Sequence, residues 1–365
     1  MTCGSSSWRR RLGDISRRTP VYQPSKDTGV LSTHRKAMLS ANANLFLNRE
    51  TLNEIMVEAA SSVDPRIYFS QSVRKLEKLL AEKHNCSPEG VLVGNGGDQL
   101  IDLLVRAIAG PGSTVVSVTP TFSMYKRYVR ANCATYRTVP LKNDFTLDVK
   151  KLLAELNSVC QLVFLCSPNN PTARTFGQSS VEKVLSQTNS LVVIDEAYAD
   201  FAGTSFVDFI ESYENLVIIR TFSKSLGLAG LRIGYALGEK NIISTIKTSM
   251  QHPFPVSSLA TEIAIRLLKR DELVKKAIRE AIRERKHLIS RLNDLSTVKA
   301  FDSETNFVLF KTEQSSSRIT AELAQKGVEV RNIGRVLEHR NCIRATVGPQ
   351  AVMDYFVNAL KEAIS

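Results

Sequence analysis

Two rhythms of apolar and polar positions alternate along this chain. Between about residue 72 and Pro255 they repeatedly change places. "SVRKLEKLLAEKHN" (Ser72–Asn85) repeats its apolar residues every three or four positions, which predicts a helix. "VLVG" (Val91–Gly94) predicts a short strand, and "DQLIDLLVRAIA" (Asp98–Ala109) returns to helical spacing. "TVVSV" (Thr114–Val118) predicts a strand, "TFSMYKRYVRANC" (Thr121–Cys133) a helix and "TYRTVP" (Thr135–Pro140) a further strand. Four more apolar runs follow: "LVFLCS", "LVVIDE", "NLVIIRTFS" and "RIGYALG". The first three are rich in Val, Ile and Leu without clean alternation, as expected of strands covered on both faces. Alternating strand and helix patterns predict an α/β domain with a mostly parallel sheet.

After Pro255 the pattern changes. A long helical stretch runs from Ser258 to Leu295, with an interruption expected near Asp271. Leu273, Ala277, Ile278, Ala281, Ile282, Leu288, Ile289, Leu292 and Leu295 would share its apolar face. "TNFVLFK", the helix "SRITAELAQKG", the strands "VEVRN" and "CIRATVG" and a final helix from about Pro349 predict a small α+β lobe. The expected organisation is an arm over residues 1–45 that joins the small domain, a large domain over 46–255, and a small domain over 256–365 with a long connecting helix. No internal repeat is present.

Composition narrows the class. A chain of 365 residues is long enough for two lobes, and 43% hydrophobic with 23% charged residues is an ordinary globular mixture. No apolar run approaches the roughly 18 residues that a membrane span needs. The six cysteines show no C-x-x-C pairing, which fits a reduced, intracellular, cytoplasmic protein without structural zinc. Cys160 and Cys166 are expected to be buried thiols.

The formal charge of +12 fits either a nucleic-acid surface or attraction of anionic small molecules. Much of the excess lies in Arg266–Lys299, mixed with Glu and Asp in a pattern that predicts a solvated helix face. No zinc-finger, RNP-type or basic heptad motif accompanies it, so nucleic acid is not an expected partner. The N-terminus, "MTCGSSSWRRRLGDISRRTP", has the composition of a transit peptide and a paired arginine. No apolar segment follows, and a mobile basic arm is expected.

Candidate chemistry collects at strand ends, where ligands of open α/β sheets bind. "VGNGGDQL" places Gly94, Gly96 and Gly97 in a turn, with Asp98 opening a helix whose free N–H groups suit a phosphate. "LCSPNNPT" puts Asn169 and Asn170 after another strand. "VVIDEAY" ends with Asp195, Glu196 and Tyr198, and its two carboxylates suit either a metal pair or half of an ion pair. "RTFSKSLGLAGLRIGY" (Arg220–Tyr235) adds Ser223, Lys224 and Arg232. Lysine normally goes to solvent, and desolvation is what makes it reactive. A lysine near a phosphate cradle and an aspartate has the parts that pyridoxal 5′-phosphate needs. The amine condenses with the aldehyde, and the carboxylate keeps the ring nitrogen protonated.

On these motifs the chain resembles the fold-type I pyridoxal-phosphate aminotransferases, and within them the histidinol-phosphate group. The resemblance runs from about Thr19 to the end. It is carried by "GDQLIDLLVRAIAGPG", "PTFSMYKRY", "VPLKNDFTLD", "SPNNPT", "IDEAYADF", "RTFSKSLGLAGLRIGY" and "SETNF" in that order. It implies a large domain with a mostly parallel mixed sheet flanked by helices, and a smaller α+β domain. Lys224 would be the Schiff-base lysine and the proton-moving base, and Asp195 would bind the ring nitrogen. Asn170 and Tyr198 would face the ring's phenolic oxygen, and Tyr125 would stack on the ring. Gly97 and Asp98 would offer backbone N–H groups to the cofactor phosphate, with Ser223 and Arg232 adding side chains. Tyr68 would reach a partner subunit's phosphate, which implies a homodimer with shared sites. Arg344 would take a substrate carboxylate, Arg331 a substrate phosphate, and Tyr22 would close over the substrate. No metal is expected.

The reaction implied is L-histidinol phosphate plus 2-oxoglutarate to imidazole-acetol phosphate plus L-glutamate, a step of histidine biosynthesis. An aromatic amino-acid aminotransferase is the neighbouring alternative, and a pyridoxal-phosphate decarboxylase of phospho-amino acids a more distant one. The chain departs from the family's pattern at Ala173, where glycine is usual, at "FLNRETLN" (Phe46–Asn53), at "HPFPVS" (His252–Ser257) and at Asn332. The second and third bear on the substrate pocket, and His252 there is expected to face solvent.

Overall fold

The computed structural model describes residues 7–19, 37–68, 71–156 and 159–365. Strand β1 (Ala37–Met38) comes first. Then follow β2 (Val91–Gly94), β3 (Thr114–Thr119), β4 (Thr135–Pro140), β5 (Cys160–Cys166), β6 (Leu191–Asp195), β7 (Leu216–Thr221) and β8 (Gly234–Gly238). These seven form one sheet in the order β2-β8-β7-β6-β5-β3-β4. All neighbours are parallel except β8, which runs against both β2 and β7.

Alternate residues of the central strands enter two different cores, and this accounts for their unbroken apolar text. Val163, Leu165, Ile194 and Ile218 pack on one face of the sheet. Phe164, Val193, Val217 and Ile219 pack on the other. Each such side chain contributes about 1.5–3 kcal/mol by leaving water, so both faces must be covered. The edge strand β4 is mostly exposed and ends at Pro140, which blunts further pairing.

The second lobe holds β9 (Val298–Ala300), β10 (Phe307–Thr312), β11 (Val328–Glu329), β12 (Arg331–Val336) and β13 (His339–Thr346). Four of them form an antiparallel sheet, β12-β13-β10-β9, over its own core. The remaining one, β11, pairs in parallel with β1, which sets Ala37 and Met38 beside this lobe.

The long helical stretch breaks at Arg270, whose φ of −99° and ψ of 47° leave the helical region. Helices Ser258–Lys269 and Asp271–Asn293 result. The buried face of the second is turned slightly from expectation. It uses Val274 where the pattern suggested Leu273, and it takes in Glu284 and Arg285. Arg285 donates to the carbonyls of Thr305 (2.9 Å) and Phe201 (3.3 Å), an interaction no apolar period can reveal. Cations of this basic stretch meet acids: Arg270 with Glu58, Lys275 with Asp271, Arg291 with Asp354.

Two further differences stand out. The helix expected from Thr121 begins only at Met124, because residues 121–123 turn across the end of the sheet. The arm, expected to be mobile, forms a helix over Ser7–Arg18 that lies against helix Met124–Ala131. There the Arg130 guanidinium donates to the Arg18 carbonyl at 3.3 Å. Cys160 and Cys166 are buried free thiols. Among the described residues no helix is long and apolar enough to cross a membrane.

Candidate active site

Beyond the carboxyl ends of β3, β5, β6 and β7 lies a cavity of about 630 Å³, closed from the other side by β12 and β13. Each parallel strand delivers its last residues there for the same reason. The apolar run ends, and the polar residues that follow turn over the sheet edge.

Asp195, the last residue of β6, forms the floor. Burial pushes its carboxyl up to about 6, while two donors favour the charged form. The Tyr125 hydroxyl donates to Oδ2 at 2.7 Å, and the Ala197 N–H to Oδ1 at 3.1 Å. Glu196 points the opposite way, as strand alternation requires. It is buried against Arg220 at 2.7 Å and accepts from Ser205 and the Phe206 N–H. The two carboxylates of "IDEAY" therefore do different work, and Glu196 is the ion-pair half. No cluster of three or more metal-ligating side chains exists among the described residues.

Lys224 follows β7 and lines the cavity. Its Nζ donates to the Ala41 carbonyl at 3.0 Å and sits 5.8 Å from the centre of the Tyr198 ring. Burial, with the positive charges of Arg344 and Arg232 nearby, pulls its amine down to about 8 against the opposing pull of Asp98 and Asp195. Part of its surface opens on the cavity, yet protein surrounds it.

One end of the cavity is built for an anion. Helix Gly96–Ile108 starts there, and no side chain of its N-cap residue Asn95 caps it. Gly96 has a φ of +76°, and a Cβ on it would stand 2.8 Å from Arg232 Nη2. Glycine is needed on both counts. Arg232 pairs with Asp98 at 2.9 Å, and Gly97 and Ser223 line the same end.

At the opposite side Tyr198 is buried, and its hydroxyl accepts from Asn42 Nδ2 at 2.9 Å. Arg344 donates through Nη1 to Asn170 Oδ1 and through Nη2 to the Ser40 carbonyl, both at 2.6 Å. Its guanidinium lies 5.2 Å from the centre of the Phe307 ring. Arg331 stands directly opposite Arg344 in the β12–β13 ladder, and both line the cavity, as does Arg335.

The structure thus brings Gly97, Asp98, Asn170, Asp195, Tyr198, Ser223, Lys224, Arg232, Arg331 and Arg344 around one cavity. Three other expected residues are not part of that lining. Tyr125 is a correction. It is fully buried beneath the floor, its ring stacks on Phe164 at 4.7 Å, and only its hydroxyl works on the site, through Asp195. A ring packed this way has no face free to stack on a cofactor. Phe122, three residues earlier, lines the cavity instead. Tyr68 is 84% exposed and packs on Phe254 away from its own chain's cavity. Tyr22 lies outside the described residues.

Sequence reasoning missed Ser40, Ala41 and Asn42, which also line the cavity. They belong to a short irregular segment with no periodicity to read, and their partners are some 150 to 300 residues away. The residues present fit pyridoxal phosphate. A helix start with a serine and an arginine suits its phosphate, and a buried carboxylate suits its ring nitrogen. An amine of lowered pKa lines the same cavity, and Asn42 Oδ1 is a buried acceptor without a partner among the described residues.

Comparison with known proteins gives a consistent set of relatives. The family of class I and II aminotransferases matches residues 35–360. The histidinol-phosphate aminotransferase of Caldanaerobacter subterraneus subsp. tengcongensis is 33% identical over 341 residues, covering 93% of this chain and 96% of that protein. That of Pyrococcus furiosus is 35% identical over 311 residues, covering 85% and 87%. A crystal structure of histidinol-phosphate aminotransferase from Sinorhizobium meliloti, in complex with pyridoxal-5′-phosphate, is similar with a TM-score of 0.86 and 26% identity. It covers 100% of this chain and 98% of that one.

Proposed function

From the premise that this chain belongs to the class I and II aminotransferases, we propose that it exchanges an amino group between L-histidinol phosphate and 2-oxoglutarate. The products are imidazole-acetol phosphate and L-glutamate, and the step serves histidine biosynthesis. The cofactor is pyridoxal 5′-phosphate. The observation that carries the reading is the cavity itself, with Lys224 and Asp195 on one wall and Arg331 and Arg344 on the other.

Bound pyridoxal phosphate supplies an aldehyde for the amino group and a ring that spreads the charge left when the α-proton departs. This chain's residues do the rest. The helix start at Gly97 and Asp98, with Ser223 and Arg232, holds the phosphate. The Asp195 carboxylate keeps a proton on the ring nitrogen. Tyr198 and Asn170 face the phenolic oxygen, and Phe122 offers the aromatic face. Lys224 carries the moving proton, which requires an amine that is partly neutral near pH 7–8; burial and its cationic neighbours favour that. Arg344 and Arg331 take the anionic groups of either substrate, so one pocket serves a dicarboxylate and a phosphate ester.

The working unit is a cytoplasmic homodimer in which Tyr68 reaches the second copy's cofactor phosphate. Each subunit has a large lobe over 46–255 and a small lobe over 256–365, to which Ala37 and Met38 of the arm pair. The purified protein loaded with cofactor tests the substrate assignment. L-Histidinol phosphate should remove the visible absorbance, and 2-oxoglutarate should restore it. Faster loss with phenylalanine at equal concentration would favour an aromatic aminotransferase. Release of CO2 without loss of absorbance would indicate a decarboxylase.

A further inference from the structure

Ser40, Ala41 and Asn42 touch three working groups in succession. The Ser40 carbonyl accepts from Arg344, the Ala41 carbonyl from Lys224, and the Asn42 amide donates to Tyr198. The third contact differs in kind, because it involves a side chain whose polarity matters. Asn42 is 1% exposed and held on every side. Its N–H donates to Thr346 Oγ1 at 3.0 Å, and its carbonyl accepts from Asn306 Nδ2 at 3.1 Å. Its φ of 55° lies in the left-handed region that asparagine tolerates better than most residues.

A tyrosine hydroxyl has one proton to give. An amide N–H can only donate, so the Tyr198 oxygen accepts from Asn42 and its own proton is directed elsewhere. The side-chain oxygen Oδ1 of Asn42 has no partner among the described residues. The reversed amide would leave a buried NH2 unpaired instead, which is the rarer and costlier defect.

We propose that Asn42 is a positioning residue that turns the Tyr198 proton into the cavity, where it is given to the ligand's phenolic oxygen. This rests on the pyridoxal-phosphate reading above. Donation to that oxygen stabilises its negative form, so losing it raises the pH at which the bound chromophore protonates. The other charged or titratable groups around Tyr198 are Arg344, Lys224, Asp195 and Cys166, and these stay unchanged in every variant.

The test is a pH titration of the visible absorbance of the cofactor-loaded protein. Asn42→Gly keeps the backbone conformation and removes the donor. It should raise the midpoint by about 0.3–1 unit when Tyr198 is present, and leave it unmoved in a Tyr198→Phe background. Asn42→Asp keeps the shape, and when ionised it can only accept, drawing the hydroxyl proton to itself. Its shift with Tyr198 present should exceed its shift in the Phe background by about one unit or more. Asn42→Asp carries the test if the glycine variant does not fold. Equal shifts in both backgrounds, or none in either, overturn the proposal. A wild-type protein that takes up no chromophore overturns the cofactor reading, and this inference with it.

Discussion

Asp195 and Lys224 depart from their ordinary ionisation in opposite directions, and both departures oppose charge in a buried place. With no cofactor bound, the Asp195 pKa rises from 3.8 unfolded to about 6 folded. The folded state therefore holds the proton more tightly. Its contribution to stability is present below about pH 4 and is lost as the pH rises through 6. Asp195→Asn has no such group. Relative to wild type, the cofactor-free variant should gain on the order of 2 kcal/mol between pH 4 and pH 7, measured by urea unfolding. An unchanged difference across that range would mean that the carboxylate is not strained by burial. At this scale the sequence was informative where type and spacing coincide. That Lys224, Asp195 and Arg232 would meet at one cavity was legible, because each ends a strand or follows one at the same edge of the sheet. Tyr125 was misread because Phe122 and Tyr125 are both aromatic and both near the start of one helix. No spacing rule says which ring turns to the cavity and which goes under the sheet.

At the scale of elements, the helix starting at Gly96 and the segment 40–42 converge on the site from different lobes. The helix start depends on a backbone conformation that only glycine takes cheaply. Gly96→Ala should cost about 1–2 kcal/mol of stability from the left-handed φ, and it should weaken cofactor binding by displacing Arg232. Gly97→Ala is the control. A Cβ there would meet only Ile219, at 3.6 Å, so stability should change little. Comparable losses in both variants, by urea unfolding, would contradict this account of the turn. The strands of the large sheet were readable because both of their faces are apolar. The segment 40–42 was not, because its structure is set by contacts with Tyr198, Lys224 and Arg344 rather than by any local pattern.

At the scale of the whole molecule, apolar residues remain exposed around Val57, Ile67, Tyr68 and Phe254. A second copy of the chain would cover them if the homodimer reading holds. In that arrangement Tyr68 serves the other subunit, so damage to Tyr68 and to Lys224 should complement. A hybrid of Tyr68→Ala and Lys224→Ala subunits contains one site with both residues intact. It should recover about half of wild-type activity per dimer when each parent is impaired. A hybrid no better than its Tyr68→Ala parent would mean that Tyr68 does not serve the other subunit's site. The two sheets and their order along the chain were visible in the sequence, since the change from α/β to α+β text falls near Pro255. The packing of one lobe against the other was not, because Arg285, Ala41 and Asn42 reach the large lobe through polar contacts that carry no period.

Arg331 and Arg344 face each other directly across one ladder. Two like charges so placed push apart, and the hairpin that carries them is weaker for it. A dianion lodged between them turns that repulsion into a bridge. On the proposed reading such a guest would clasp β12 to β13, and its binding should make that hairpin harder to unfold.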